Sequence, residues 1–176
     1  MNNDLAWKKI SEEKFKAGWR KMIHKKYILL NGKEADYDLK DEGLTVNILA
    51  LTPKNKVVLV NVFRPGPEKV LKELPAGFVN KDEDPIDAAK RELLEETGYE
   101  GDFEFVCQSI DDGYSNCIRN CFVARNCKKV KEPEWEDDEV CEIVEMDLKD
   151  FRNHLRSGQL TDIEVGYLCL DHLNLL

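Results

Sequence analysis

Glu92, Glu95 and Glu96 stand at positions i, i+3 and i+4 of the run RELLEETGY, residues 91–99. On a helix that spacing puts all three carboxylates on one face. Carboxylates so crowded repel one another, and a hard divalent cation with oxygen ligands offsets the repulsion. Two further residues precede them at fixed distances: Glu83, with seven residues between it and Arg91, and Gly77, with five residues between it and Glu83. Arg91 can reach back to Glu83 and pin the loop to the helix. Gly77 lets the backbone turn tightly and approach a metal. The chemistry that suits such a cluster is the binding of a divalent cation. A lone E-x-x-E-E is ordinarily a solvated acidic face. Seven specified residues, each at roughly 7% usage, agree by chance on the order of once in 10⁸ start positions, so the spacing carries the argument.

The elements that must hold these residues are legible around them. Asp84 is an N-cap, Pro85 fits the first helical position, and Gly98 fits the residue just past the end. Ile86, Ala89, Leu93 and Thr97 form the inward stripe of that helix. Upstream, Trp19–Leu30 and Lys33–Lys40 read as strands joined by Asn31-Gly32, a two-residue hairpin signal. Leu44–Thr52 and Lys56–Phe63 form a second pair around Pro53-Lys54-Asn55, and a short strand covers Val70–Leu74. Downstream, strands are expected at Phe103–Ile110, Ile118–Arg125 and Val140–Met146, then helices at Leu148–Ser157 and Asp162–Leu173 with Gly158 between them. The order predicts an α+β fold, a mixed sheet covered by helices, in a single domain spanning 1–176.

The formal net charge of −9 and the lack of a concentrated basic tract argue against nucleic acid as a partner. No segment approaches the ~20 apolar residues of a membrane span. The start, MNNDLAWKKISEE, lacks the apolar core of a secretion signal, so the expectation is a cytoplasmic protein with reduced thiols. Cys117 and Cys121, four apart, would share one strand face, but a zinc site there needs two more ligands and no histidine lies nearby.

Residues 77–99 resemble the Nudix box, G-x5-E-x7-R-E-U-x-E-E-x-G-U, at every position, with Tyr99 a mild variant of the usually aliphatic last residue. The resemblance implies the Nudix fold, an α/β/α sandwich, and hydrolysis of a nucleoside diphosphate linked to another group, with Mg2+ or Mn2+. Carried over, it makes Glu92 and Glu96 the main metal ligands, Glu95 a further ligand or catalytic helper, and the Ala76 carbonyl another ligand. Gly77, Glu83, Arg91 and Gly98 become the residues that shape the motif.

The flanks resemble the ADP-ribose and ADP-sugar pyrophosphatases. Val62-Phe63-Arg64-Pro65 followed by Glu73-Leu74-Pro75-Ala76-Gly77 matches that group's "Q-[YF]-R … E-[LF]-P-A-G", which implies Arg64 and Glu73 at the substrate. A planar guanidinium fork suits a phosphate. Asp112-Gly113-Tyr114-Ser115-Asn116 falls where the group has "[DS]-P-G-x-S-[ND]", which adds Gly113 and Ser115. Ser157–Asp162 resembles "S-G-x-[IL]-T-D". The two hairpins before the box resemble extra strands with which these enzymes form a homodimer, a role expected of 1–40. Asp137–Val144 aligns with a pattern that carries the catalytic glutamate, with Glu139 the first choice as base and Glu136 the second. Asp112 replaces the group's proline, which predicts a looser loop and an added negative charge. Tyr114 is similar to a marker of dinucleoside polyphosphate hydrolases. The expected substrate is thus an ADP-sugar such as ADP-ribose. The alternatives are a dinucleoside polyphosphate, a GDP-sugar, or a non-catalytic nucleotide-sugar sensor. Trp7, Trp19 and Trp135 are candidates to stack on adenine, as well as ordinary core or interface residues.

Overall fold

The computed structural model describes residues 5–135 and 142–176. The chain divides into two compact units, Met1–Gly43 with Ile110–Ile118, and Leu44–Ser109 with Arg119–Leu176.

In the first unit, β1 (Lys8–Ala17), β2 (Arg20–Ile28) and β3 (Glu34–Lys40) form an antiparallel sheet in that order. The β2–β3 hairpin forms at Asn31-Gly32, but its loop is one residue longer than the expected two: the Leu29 N–H donates to the Lys33 carbonyl at 2.8 Å, the Gly32 N–H donates to the Leu29 carbonyl at 2.9 Å, and only Gly32, at φ 80°, is left-handed. The β1 strand was not foreseen. All ten of its residues are exposed, so KKISEEKFKA has no buried alternate face to betray a period of two. The 110–118 segment is stitched to the end of β3. Asn116 Oδ1 accepts from the Glu42 and Gly43 amides at 2.8 and 3.0 Å, and Asn116 Nδ2 donates to Asp41 at 2.7 Å.

The second unit holds β4 (Leu44–Leu51), β5 (Lys56–Arg64), β6 (Lys69–Glu73), β7 (Ala76–Phe78), α1 (Pro85–Thr97), β8 (Tyr99–Ile110), β9 (Ile118–Lys129), β10 (Glu142–Asp147), α2 (Leu148–Ser157) and α3 (Ile163–His172). The sheet order is β10-β5-β4-β9-β8, with β6 added to β5 and β7 to β4. The second expected hairpin, β4 and β5, is therefore the middle of the large sheet and not an extra pair of strands; β1 to β3 alone make the additional sheet. Burial explains this, because β4 reads TVNILAL and has both faces covered, which an appended hairpin does not.

Two cores follow from the period of the strands. Leu49, Leu51, Val57, Leu59, Cys121 and Val123 point to one face and pack with Phe151 and Leu155 of α2 and Val165, Cys169 and Leu170 of α3. Val46, Ile48, Ala50, Val58, Phe122 and Ala124 point to the other and pack with Ala88, Ala89 and Leu93 of α1. This is the helix–sheet–helix sandwich of the expected α+β class. The helix α1 lies where the caps predict: the Asp84 side chain accepts from the Ile86 amide, and Gly98 is left-handed at φ 73°.

Candidate active site

The clustered residues lie on α1 and on β7, which pairs with β4 through Thr45↔Phe78, Val46↔Gly77 and Asn47↔Ala76. Arg91 is the hub. Its Nε and Nη2 donate to the two oxygens of Glu83 at 2.9 and 3.0 Å, and Nη2 also donates to the Phe78 carbonyl at 3.0 Å. Its Nη1 donates to Glu92 at 2.6 Å and to Glu95 at 3.1 Å. One guanidinium thus fixes the loop of β7, the Glu83 turn and two acidic side chains of α1. The Arg91 bond and the Asn80 amide hold the Glu83 carboxyl down at about 2.

Gly77 is required by proximity. A Cβ built there would stand 2.0 Å from the Glu92 carboxyl carbon. The Glu92 carboxylate therefore lies directly over the β7 backbone. Burial pushes its pKa up, against the pull of Arg91. Glu96 reaches the same strand, accepting from the Ala76 amide at 3.1 Å. Glu92 and Glu96 thus converge on the Ala76–Gly77 backbone, while Glu95, on the same helix, is held by Arg91 Nη1. Hard carboxylate and carbonyl oxygens are the donors a divalent cation takes, although among the described residues no three acidic side chains are drawn into one ready-made cluster. Glu92, Glu95, Glu96 and the Ala76 carbonyl are the groups that could hold one.

Arg64, at the end of β5, donates from Nε to Glu73 Oε2 at 2.8 Å and from Nη2 to the same oxygen. The Glu73 side chain is 3% exposed and that of Arg64 46%. Glu73 is the buried holder of a half-exposed guanidinium, and its Oε1 is buried without a hydrogen-bond partner. Asp162, at the start of α3, accepts from Asn47 at 2.6 Å and pairs with Arg119 at 3.1 Å. Burial raises its pKa to about 6. Sequence reasoning saw Asp162 only as part of a motif; its partner Asn47, a polar residue inside an apolar strand, was the signal available. Tyr99 keeps its ring buried while its hydroxyl donates to Glu145 at 2.7 Å, which accounts for an aromatic at an aliphatic position.

Gly113 and Ser115 belong to the first unit. Ser115 Oγ donates to Glu42 at 3.3 Å and accepts from the Cys117 amide at 3.0 Å. Gly113 lines a cavity of about 400 Å³ with Trp7, Tyr27, Tyr37 and Tyr114. Trp7 stacks on Tyr37 with centroids 5.7 Å apart. Trp19 is exposed with Arg20 over its ring, and the Trp135 indole donates to the Glu96 carbonyl. Asp112 does not loosen its loop. It pairs with Lys40 at 2.9 Å and caps the Tyr114 amide, and the Lys40 bond lowers its pKa. Asp111 and Glu42 share that ammonium, so the carboxylates at this loop outnumber the charge that pairs them, and only the looser loop is corrected, by the two bonds that Asp112 makes. Glu136 and Glu139 lie outside the described residues.

A sandwich of this architecture with a glutamate-lined helix over a glycine strand defines the Nudix class. A model of the NUDIX domain matches residues 41–164, and the chain belongs to the Nudix family. An ADP-ribose pyrophosphatase of Bacillus subtilis (strain 168) is 31% identical over 79% of this chain and 77% of its own length. A methanol dehydrogenase activator of Bacillus methanolicus is 32% identical over 81% and 80%. An ADP-ribose pyrophosphatase of Saccharomyces cerevisiae is 31% identical over 78% and 67%. Among solved structures, an ADP compounds hydrolase superposes with a TM-score of 0.77 at 17% identity, covering 97% of both chains. No helix among the described residues is long and apolar enough to cross a membrane.

Proposed function

We propose that the protein hydrolyses the pyrophosphate bond of ADP-ribose to AMP and ribose 5-phosphate with Mg2+ or Mn2+. The observation that carries this reading is the convergence of Glu92 and Glu96 on Ala76–Gly77, in a chain whose relatives include two named for that activity. Glu92, Glu96, the Ala76 carbonyl and Glu95 would hold the metal, which would neutralise the pyrophosphate and acidify a water. Arg91 keeps Glu92 and Glu95 in place through Nη1. Arg64, fixed by Glu73, meets a phosphate oxygen with its exposed fork. A glutamate takes the proton from the attacking water, with Glu139 first, Glu136 second and Glu95 third in our assignment. Gly113 and Ser115 belong to the substrate-binding set by their place in the sequence pattern.

The chain, 1–176, acts as one Nudix module and as a cytoplasmic homodimer. The support for the dimer is β1, an edge strand exposed along its whole length that carries Ile10 and Phe15 on the surface. An open edge is a template for pairing with a second chain.

Chromatography of the products from ADP-ribose, ADP-glucose, GDP-mannose, a diadenosine polyphosphate and ATP tests the substrate. The expected leader in kcat/KM is ADP-ribose, with AMP and ribose 5-phosphate released. A tenfold lead for a triphosphate or dinucleoside polyphosphate, about 1.4 kcal/mol in transition-state binding, overturns the assignment. Sedimentation of the chain with and without residues 1–40 tests the dimer; a soluble, active monomer after truncation refutes it.

A further inference from the structure

The last carbonyls of a helix have no partner within it, and the last turn of α1 contains Glu95 and Glu96. Three of them, those of Leu94, Glu95 and Glu96, have a donor. Leu94 O takes the Gly98 amide at 2.9 Å, Glu95 O takes the Glu134 amide at 2.8 Å, and Glu96 O takes the Trp135 indole N–H at 2.9 Å. The segment that supplies the last two is seated against the helix end. The Gly98 carbonyl accepts from the Val130 and Lys131 amides at 2.8 and 3.3 Å. A Cβ on Gly98 would stand 2.1 Å from the Lys131 carbonyl oxygen, so no side chain fits between them.

Basic residues commonly complement the negative end of a helix, yet the last turn of α1 has none. An ammonium there would compete with a divalent cation for Glu95 and Glu96. A neutral indole N–H satisfies the carbonyl without that competition. We propose that Trp135 is a positioning residue for the metal-binding carboxylates, capping the catalytic helix so that Glu95 and Glu96 keep the geometry a small hard cation demands. The inference rests on the metal reading above.

The test is direct binding of Mn2+ alone, by calorimetry or by the loss of its free electron spin resonance signal, to the full chain and to three variants. Trp135→Phe keeps the ring and removes the N–H. Glu134→Pro removes the neighbouring amide donor. Glu96→Gln reports on the metal site itself. Trp135→Phe should raise the Mn2+ Kd about tenfold with a nearly unchanged melting temperature. Its kcat on ADP-ribose should fall at limiting Mn2+ and recover at high Mn2+, with KM little changed. Glu134→Pro should move the Mn2+ Kd in the same direction. A structural tryptophan would lower the melting temperature and leave the Mn2+ Kd where it was. An Mn2+ Kd within twofold of the parent in both Trp135→Phe and Glu134→Pro overturns the inference. If the parent binds Mn2+ and Glu96→Gln does not, the metal reading stands, and an unchanged Kd in Trp135→Phe and Glu134→Pro then overturns the inference alone. If the parent binds no Mn2+, the metal reading falls with it.

Discussion

The Glu92 carboxylate occupies the space that a side chain on Gly77 would need, with its carbon 2.0 Å from the ideal Cβ position. The two residues are fifteen apart in sequence and meet because Arg91 draws the Glu83 turn and the Phe78 carbonyl onto α1. A methyl group at 77 must push Glu92 aside. The atoms it meets are the far end of a flexible side chain, so the fold should survive. Gly77→Ala should change stability by less than about 1 kcal/mol while kcat falls 10²-fold or more, because a misplacement near 1 Å is that costly. Urea unfolding and steady-state kinetics on one preparation check both. Activity close to the parent's would show that Glu92 need not stand where it does.

Glu96→Gln isolates charge from shape. The glutamine oxygen can still accept the Ala76 amide that Glu96 accepts at 3.1 Å, so β7 should stay docked on α1. Removing one anionic ligand should cost several orders of magnitude in kcat with an unaltered circular dichroism spectrum. Near-normal turnover by the folded variant removes Glu96 from the metal site.

Asp162 gives a pH signature. Burial holds its folded-state pKa at about 6, above the 3.8 of the free group. Between those values the folded chain keeps a proton that the unfolded chain has lost, so folding gains from acid and loses that gain as pH rises through 6. The stability of the parent minus that of Asp162→Asn should therefore be largest below about pH 4. It should fall by on the order of 2–3 kcal/mol up to pH 6 and stay flat above it. Urea unfolding of both chains at pH 4, 5, 6 and 7.5 measures the difference. A difference that grows with pH would mean that Arg119 and Asn47 outweigh desolvation.

Tyr99→Phe removes the bond to Glu145 and keeps the buried ring. Glu145 is on the surface and water can replace the lost donor, so the cost should be about 1 kcal/mol or less with kcat unchanged. A tenfold loss of activity would give Tyr99 a role at the site.

The helix α1 was legible to the residue, because Asp84, Pro85 and Gly98 each act through the local backbone. The carboxylate cluster was legible for the same reason: i, i+3 and i+4 need no knowledge of the rest of the chain. What escaped depends on distant partners. Glu73 reads as a substrate residue by its place in a motif, and its burial beneath Arg64 follows only once β5 and β6 pair. Asp112 reads as a loose charge until Lys40 is beside it, 72 residues upstream. The strand β1 has no core face, so its partner β2 defines it and its own sequence does not. The four residues of β7 and its approach read as a motif loop, and became a strand only through β4.

The first compact unit is not contiguous in the chain. It takes Met1–Gly43, then claims Ile110–Ile118 from between β8 and β9. Lys40, Asp41, Glu42 and Gly43 all hold atoms of that second piece. A gene fragment cut after residue 43 would leave the Asn116 amide group and Asp111 without the partners that fix them. Transplanting this unit between relatives therefore takes two grafts made together, and recombination that exchanges one stretch alone would yield a chimera with mismatched halves.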